Sequence, residues 1–112
     1  MAIANALITN TDTELLVVPA GKRYAITTIL VCNTWTPNPG HEEDGQINFD
    51  LHFVPDGQAK GNVNMVVRNL ILPAGETFTF DSEKIILEEG DKIVLLGESP
   101  TNLSATVSYL EV

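Results

Sequence analysis

The sequence predicts an all-β protein, an antiparallel β-sandwich of about eight or nine strands in a jelly-roll-like or related Greek-key order. Three observations predict it. Apolar and polar residues alternate through most of the longer segments, and short turn-forming stretches separate those segments. No window has the 3.6-residue periodicity of an amphipathic helix.

A repeated corner organises this pattern. Residues 16–26, LVVPAGKRYAI, return as residues 70–80, LILPAGETFTF, and a shorter echo, LEEGDKIVL, spans residues 87–95. An apolar run enters each Pro-Ala-Gly corner and an alternating run leaves it. Glycine can adopt the positive φ that closes a three-residue hairpin loop after a type I turn, so the repeat predicts hairpins at these corners.

The first half of the chain contains three predicted strands. Residues 2–8 and 14–18 form the first two, with the polar turn 9–12 between them. Residues 23–33 become apolar on both faces toward their end, which is typical of a central strand that is covered on both sides. Cys32 ends this strand, and we expect it to be buried and inert.

A long irregular segment, TWTPNPGHEEDG, follows at residues 34–45. Its prolines, glycines and acidic residues predict a loop, and loops of this length in compact domains often carry binding sites. We therefore expect a partner contact at Trp35, His41, Glu42, Glu43 and Asp44. Trp35 has an equally weighted alternative role, which is to plug the end of the sandwich, and it is also the one candidate for a sugar-stacking platform.

Alternation is clearest in residues 46–55, where the odd positions are apolar and the even positions from 48 to 52 are polar. A turn at 56–61 leads to a strand at 62–72, whose pattern breaks at Arg68 and Asn69 and predicts a β-bulge there. The remaining predicted strands span 77–80, 84–87, 92–96 and 103–109. Periodicity directs four aromatic side chains toward the core: Phe49, Phe53, Phe78 and Phe80.

Acidic residues and histidines form one local group that could hold a metal or exchange protons: His41, Glu42, Glu43, Asp44, Asp50 and His52. Asp50 and His52 are also simply alternate residues on the polar face of a strand, and we expect no metal and no cofactor. Cupin enzymes need a further histidine on a later strand, whereas both histidines here precede residue 53. No catalytic triad, phosphate loop or Cys–His pair is evident, so the sequence predicts a protein that is not an enzyme.

Length and charge limit the function classes. A chain of 112 residues predicts one domain, residues 1–112. A net charge of −9 with only six Lys and Arg residues argues against nucleic-acid partners and anionic membranes. The first residues lack the basic region of a secretory signal, no stretch is long enough to span a bilayer, and a lone cysteine suits a reducing cytoplasm.

The order of these features resembles a known family. Those features are the LVVPAGK corner, the strand ILVCN at 29–33, a strand that ends in Val54-Pro55, the LPAGE corner, ILEEGD at 86–91, and a final alternating strand. Together they are similar to the small β-sandwich virion proteins of tailed bacteriophages, cyanophages included, which are capsid decoration (cement) proteins or tail and fibre accessories.

The resemblance implies a non-enzymatic virion protein that is made in the host cytoplasm and works by binding its neighbours. It implies a homo-oligomer whose partners are the major capsid protein or other virion subunits, with no nucleic acid and no membrane. A capsid decoration protein that binds and stabilises the major capsid shell is the leading expectation. A tail, baseplate or fibre subunit is the alternative, and a carbohydrate-binding module for host attachment is a further one.

Overall fold

A computed structural model of the chain describes residues 2–36, 39–40, 45–98 and 103–112, with backbone alone at 82–84. Eight strands lie in these ranges: β1 Ala2–Ile8, β2 Thr13–Val17, β3 Arg23–Asn33, β4 Ile47–Val54, β5 Met65–Leu72, β6 Thr77–Glu88, β7 Lys92–Gly97 and β8 Leu103–Glu111. A single 3-10 turn, Asn62–Asn64, precedes β5. The predicted strands at 77–80 and 84–87 are parts of the one strand β6, because both pair with β3 on either side of an irregularity in register.

Two four-stranded antiparallel sheets pack together. The first sheet has the order β1-β8-β3-β6, and the second sheet has the order β2-β7-β4-β5. The first strand therefore pairs with the last, the second with the seventh, the third with the sixth, and the fourth with the fifth. The chain therefore folds as one long hairpin whose successive strand pairs alternate between the two sheets. This arrangement is the jelly roll. The predicted fold class is confirmed.

The repeated corners carry the chain from one sheet to the other. Residues 19–22 join β2 to β3, and residues 73–76 join β5 to β6. In each corner the fourth residue donates its N–H to the proline carbonyl, at 3.2 and 3.1 Å respectively. Gly21 and Gly75 are the third residues and have φ of 77° and 78°. A positive φ at that position defines a type II turn, so the predicted type I hairpin loops are wrong.

A bulge in β3 decides which side chains face outward. Its register shifts between Ile26 and Thr28 against both neighbouring strands. Ile26 is buried before the shift, and Ile29 and Val31 are buried after it, so the inward positions change from even to odd. Cys32 is therefore directed outward and is only half-buried, and the prediction that it is buried was wrong.

The predicted bulge in β5 is confirmed. Phe49 pairs with Leu70 and Leu51 pairs with Val67, so Arg68 and Asn69 oppose the single residue Asp50. Asn69 has φ 52°, a conformation that asparagine adopts more readily than most residues. Its N–H donates to Asp50 Oδ1 at 2.6 Å.

The hydrophobic core lies between the two sheets. Aromatic pairs join β4 in the second sheet to β6 in the first, with ring centroids 5.6 Å apart for Phe49 and Phe78 and 5.8 Å apart for Phe53 and Phe80. Both pairs have the edge-to-face geometry that aromatic rings prefer. All four rings pack in or against the core cluster, which confirms their predicted inward orientation.

Candidate functional site

Asn33 is the central residue of the candidate site, the end of the sandwich where β3 leads into the 34–45 loop. Its side chain is completely buried. The amide Nδ2 donates to the carbonyl oxygens of Gly45 at 2.8 Å and Leu72 at 2.9 Å. Its Oδ1 accepts the N–H of Trp35 at 3.1 Å. One buried amide thus joins both ends of the loop to the end of β5, and its own polar atoms are satisfied.

The second Pro-Ala-Gly corner supports the same residue from the other side. The backbone N–H of Asn33 donates to the Glu76 carbonyl at 2.9 Å, and the Gly75 N–H donates to the Asn33 carbonyl at 3.0 Å. Ala74 in this corner is also buried. Hydrogen bonds from three directions therefore fix the base of the loop on the rigid part of the fold.

Trp35 lies on this base with 42% of its surface exposed. Its indole lies directly over Gly45, since a Cβ at that position would come within 2.7 Å of the indole Cγ. Gly45 also has φ 85°, so two independent constraints require glycine there. The indole is outside the core cluster: one of its faces covers the loop base, and the remainder is open to solvent.

The other residues of the predicted contact are His41, Glu42, Glu43 and Asp44, and all four lie outside the described residues. Their role as a partner contact stays a prediction. What the structure describes is the start and the end of the loop, and it holds these together through Asn33 and through the contact between Trp35 and Gly45.

Asp50 and His52, the later members of the hypothetical metal group, have different surroundings. Asp50 accepts the N–H of Asn69 in the β5 bulge. His52 is 1% exposed, and its Nδ1 lies 2.9 Å from Asn64 Oδ1. Within the part of the chain that the structure describes, no three His, Cys, Asp or Glu side chains are grouped so that they could hold a metal.

The segment 55–64 explains why His52 is buried. Asn64 is buried with it and donates Nδ2 to the Ala59 carbonyl at 3.0 Å. Lys60 reaches Asp12, next to the opposite edge strand of the second sheet, with its Nζ 2.7 Å from Oδ1. The segment therefore folds across the outer face of the second sheet. The interpretation of His52 as part of an ordinary polar strand face was wrong because this cover comes from a segment that follows the strand.

A shallow cleft of about 180 Å³ lies on the same face of the second sheet, beside the β5 bulge. Its polar lining includes Asn48, Asp50, Asn69 and Glu98. The carboxylates already accept backbone N–H groups: Asp50 from Asn69 at 2.6 Å and Glu98 from Asn48 at 3.0 Å. Asp50 therefore fixes the bulge of β5, and Glu98 ties the end of β7 to the start of β4.

The sequence matches no protein-family model, and no curated protein matches it at a significant level. In the described ranges, no helix is long and apolar enough to cross a membrane.

Proposed function

We propose that this chain is a non-enzymatic structural protein of a tailed-phage virion, a capsid decoration protein that binds and stabilises the major capsid shell. The complete jelly roll carries this proposal, because that architecture is used by viral capsid proteins and occurs here in a chain whose corners and strands resemble small virion proteins. Lectin domains and cupins share the architecture, so surface features must distinguish a virion protein from these classes.

The loop base supports a binding role. Trp35 presents a large apolar surface on a backbone that Asn33 and Gly45 hold in place. Binding through such a residue orders little additional chain, and tryptophan is among the residues that contribute most to interface energies. The 34–45 loop is therefore the proposed contact with the shell.

The charge of the loop indicates the charge of the partner surface. Three acidic residues follow one another at positions 42–44, and the whole chain has a net charge of −9. Such a surface is attracted to a basic patch on a partner, and this attraction weakens as salt screens it. The partner surface on the shell should therefore be rich in Lys and Arg.

Co-sedimentation tests the proposal. Purified protein is added to separated heads and tails from particles of the phage that encodes it, and the bound fraction is measured at increasing salt. Heads should bind it, Trp35→Ala should reduce the binding without lowering the Tm, and neutralising Glu42, Glu43 and Asp44 together should weaken it. Val63→Ala is the control, since Val63 is an exposed residue of the 55–64 segment.

Other outcomes would contradict the decoration role. Binding to tails alone would favour a tail, baseplate or fibre subunit. Specific binding on a glycan array with no binding to either particle fraction would favour a carbohydrate-binding module. Normal head binding by the Trp35→Ala variant would keep the virion role but place the contact elsewhere.

A further inference from the structure

We propose that the outer face of the first sheet is a self-association surface on which a second copy of this chain packs face to face. This outer face comprises the outward side chains Ile3, Asn5, Leu7, Arg23, Ala25, Thr28, Leu30, Cys32, Thr77, Thr79, Asp81, Ile86, Glu88, Ser104, Thr106, Ser108 and Leu110. The proposal is independent of the virion assignment, since it rests on this face alone.

The outer face is unusually apolar for an exposed surface. Five large aliphatic side chains on it are between 38% and 65% exposed: Ile3, Leu7, Leu30, Ile86 and Leu110. Small residues, mostly Ser and Thr, lie between them, so the surface has few long polar side chains. Single exposed aliphatic residues are ordinary, but an extended apolar surface of this kind marks an interaction site.

Charge identifies a second copy as the occupant. The described charged side chains of the outer face are Asp81 and, at one end, the ion pair of Arg23 and Glu88 with N and O 3.7 Å apart, so their charges sum to only −1 although the whole chain carries a net charge of −9. Two copies with this charge repel each other over most of their surfaces. They can approach closely only through a region of low net charge, and the described part of the outer face is such a region.

The second sheet does not offer an equivalent surface. The segment 55–64 lies over it and buries His52, and Val94 is 3% exposed on the same side. An ion pair between Lys92 and Glu14, with N and O 2.8 Å apart, lies on that side as well. The two sheets therefore differ: the central strands of the second sheet are covered by the chain itself, and those of the first sheet are open.

Strand register makes the two central strands of the outer face complementary to each other. β8 and β3 are the central strands of the first sheet, and they pair Thr106 with Leu30 and Leu110 with Ala25. A two-fold axis that runs parallel to the strands between β8 and β3 exchanges the members of each pair. Leu30 of one copy then lies over Thr106 of the other, and Leu110 lies over Ala25. In these two rows each large side chain meets a small one, as an isologous interface requires. In the row of Ile3, Ser108, Thr28 and Asp81, the same rotation places Ile3 of one copy over Asp81 of the other.

The area is sufficient for association. Four strands about 4.8 Å apart and about 30 Å long give a face of roughly 600 Å² per copy. Two such faces bury roughly 1,200 Å², which exceeds the ~1,000 Å² expected of a specific interface and is at the lower end of the stable range. We therefore expect a dimer that dissociates on dilution.

Light scattering coupled to size-exclusion chromatography tests the proposal over a range of protein concentrations. The measured mass of the wild-type protein should rise with concentration to that of two chains. Leu30→Glu places two carboxylates in the interface, one from each copy, and should raise the dimer Kd at least ~100-fold. Ile71→Glu is the matched control, because Ile71 is an exposed aliphatic residue on β5 of the second sheet, and it should leave the mass unchanged. Thr106→Glu replaces Leu30→Glu if circular dichroism shows that the latter is unfolded.

Cross-linking tests the register. In a Cys32→Ser background, a chain with Leu30→Cys is mixed with a chain with Thr106→Cys and treated with a short bis-maleimide. The mixture should give two-chain products in much higher yield than either variant alone. A wild-type protein that stays monomeric at every concentration, or a Leu30→Glu variant that dimerises like wild type, would overturn the proposal. Equal cross-linking in the mixture and in the separate variants would overturn the two-fold register.

Discussion

At the scale of single residues, Asn33 and Gly45 determine how Trp35 is presented. Asn33 has no exposed surface, and the partners of its side chain among the described residues are backbone groups. A buried backbone carbonyl that loses its donor keeps its full desolvation cost. The site is therefore more sensitive to the amide of Asn33 than to the exposed parts of the loop.

Asn33→Ala should lower the free energy of unfolding by about 2–4 kcal/mol, because it leaves the carbonyls of Gly45 and Leu72 without donors. Urea denaturation of the purified protein measures the change. Asn5→Ala is the control, since Asn5 is exposed on β1 and should change stability by less than about 0.5 kcal/mol. Similar losses in the two variants would contradict the central role of Asn33.

Gly45→Ala should cost more stability than Gly57→Ala. Both glycines have positive φ, 85° and 83°, but a Cβ at Gly57 meets no atom within 4 Å whereas one at Gly45 overlaps the indole of Trp35. The Gly57 change should cost about 1 kcal/mol from backbone conformation alone, and the Gly45 change should cost more by the energy of displacing the indole.

Two measurements test this comparison. Trp35 is the only tryptophan in the chain, so Gly45→Ala should also shift its fluorescence emission, and Gly57→Ala should not. In a Trp35→Ala background, the two glycine substitutions should cost the same. A Gly45→Ala cost that persists there would show that the indole is not what requires glycine.

At the scale of elements, the segment 55–64 gives the second sheet a second layer. Within this segment, Asn64 accepts the Gly61 N–H at 3.1 Å and donates to the Ala59 carbonyl. The same side chain contacts His52, which lies beneath the segment. The Nε2 of His52 is buried without a hydrogen-bond partner in the described structure. Asn64 therefore stabilises this layer more than His52 does.

Asn64→Ala should destabilise the protein by about 1–3 kcal/mol, because several buried polar groups lose their partner. His52→Leu should cost less than about 1 kcal/mol, because it removes a buried Nε2 that has no hydrogen-bond partner and fills the site with an apolar side chain of similar size. Thermal unfolding compares the two variants, with exposed Asn62→Ala as the control. A larger loss for His52→Leu than for Asn64→Ala would contradict this ranking.

How much of each element could be predicted depends on where its cause lies in the chain. The β5 bulge was predicted because its own alternation breaks at Arg68 and Asn69. The β3 bulge was missed because the even and the odd positions of residues 24–31 both contain apolar residues, so neither register has a distinctive pattern. The corners were recognised as turns, but their connection between sheets was not predicted. A Pro-Ala-Gly turn has the same residues whether it joins two strands of a hairpin or two strands of different sheets. The roles of Asn33 and His52 depend on partners 12 or more residues away, which local patterns do not contain.

At the scale of the whole molecule, charge is distributed unevenly. The described ion pairs lie at the margins of the sheets, for example Lys22 with Glu111 at 3.1 Å and Lys92 with Glu14 at 2.8 Å. Partly exposed pairs of this kind contribute little stability. Most of the described acidic residues lie outside the proposed dimer face, where the described carboxylates are Asp81 and Glu88.

Salt should therefore act in opposite directions on the two proposed contacts. Raising ionic strength from ~0.01 M to ~0.15 M shortens the Debye length from about 30 Å to about 8 Å. This screens repulsion between like-charged copies, so the dimer Kd should fall, whereas attachment of the acidic loop to a basic partner should weaken. Sedimentation equilibrium measures the first effect. A dimer Kd that rises with salt would show that charged pairs, rather than a face of low net charge, hold the copies together.

The rolled hairpin has a consequence for the route by which the chain reaches its native state. β4 and β5 pair across the connection 55–64, whereas β1 and β8 pair only after almost the whole chain has been brought together. Loop-closure entropy grows with the length of chain between two partners, so pairing should begin at β4 and β5 and proceed outward toward β1. Refolding should be slow for a small domain, from milliseconds to seconds as in other β proteins with distant pairings. Substitutions at Leu51 should slow refolding, and those at Ala6 in β1 should mainly speed unfolding.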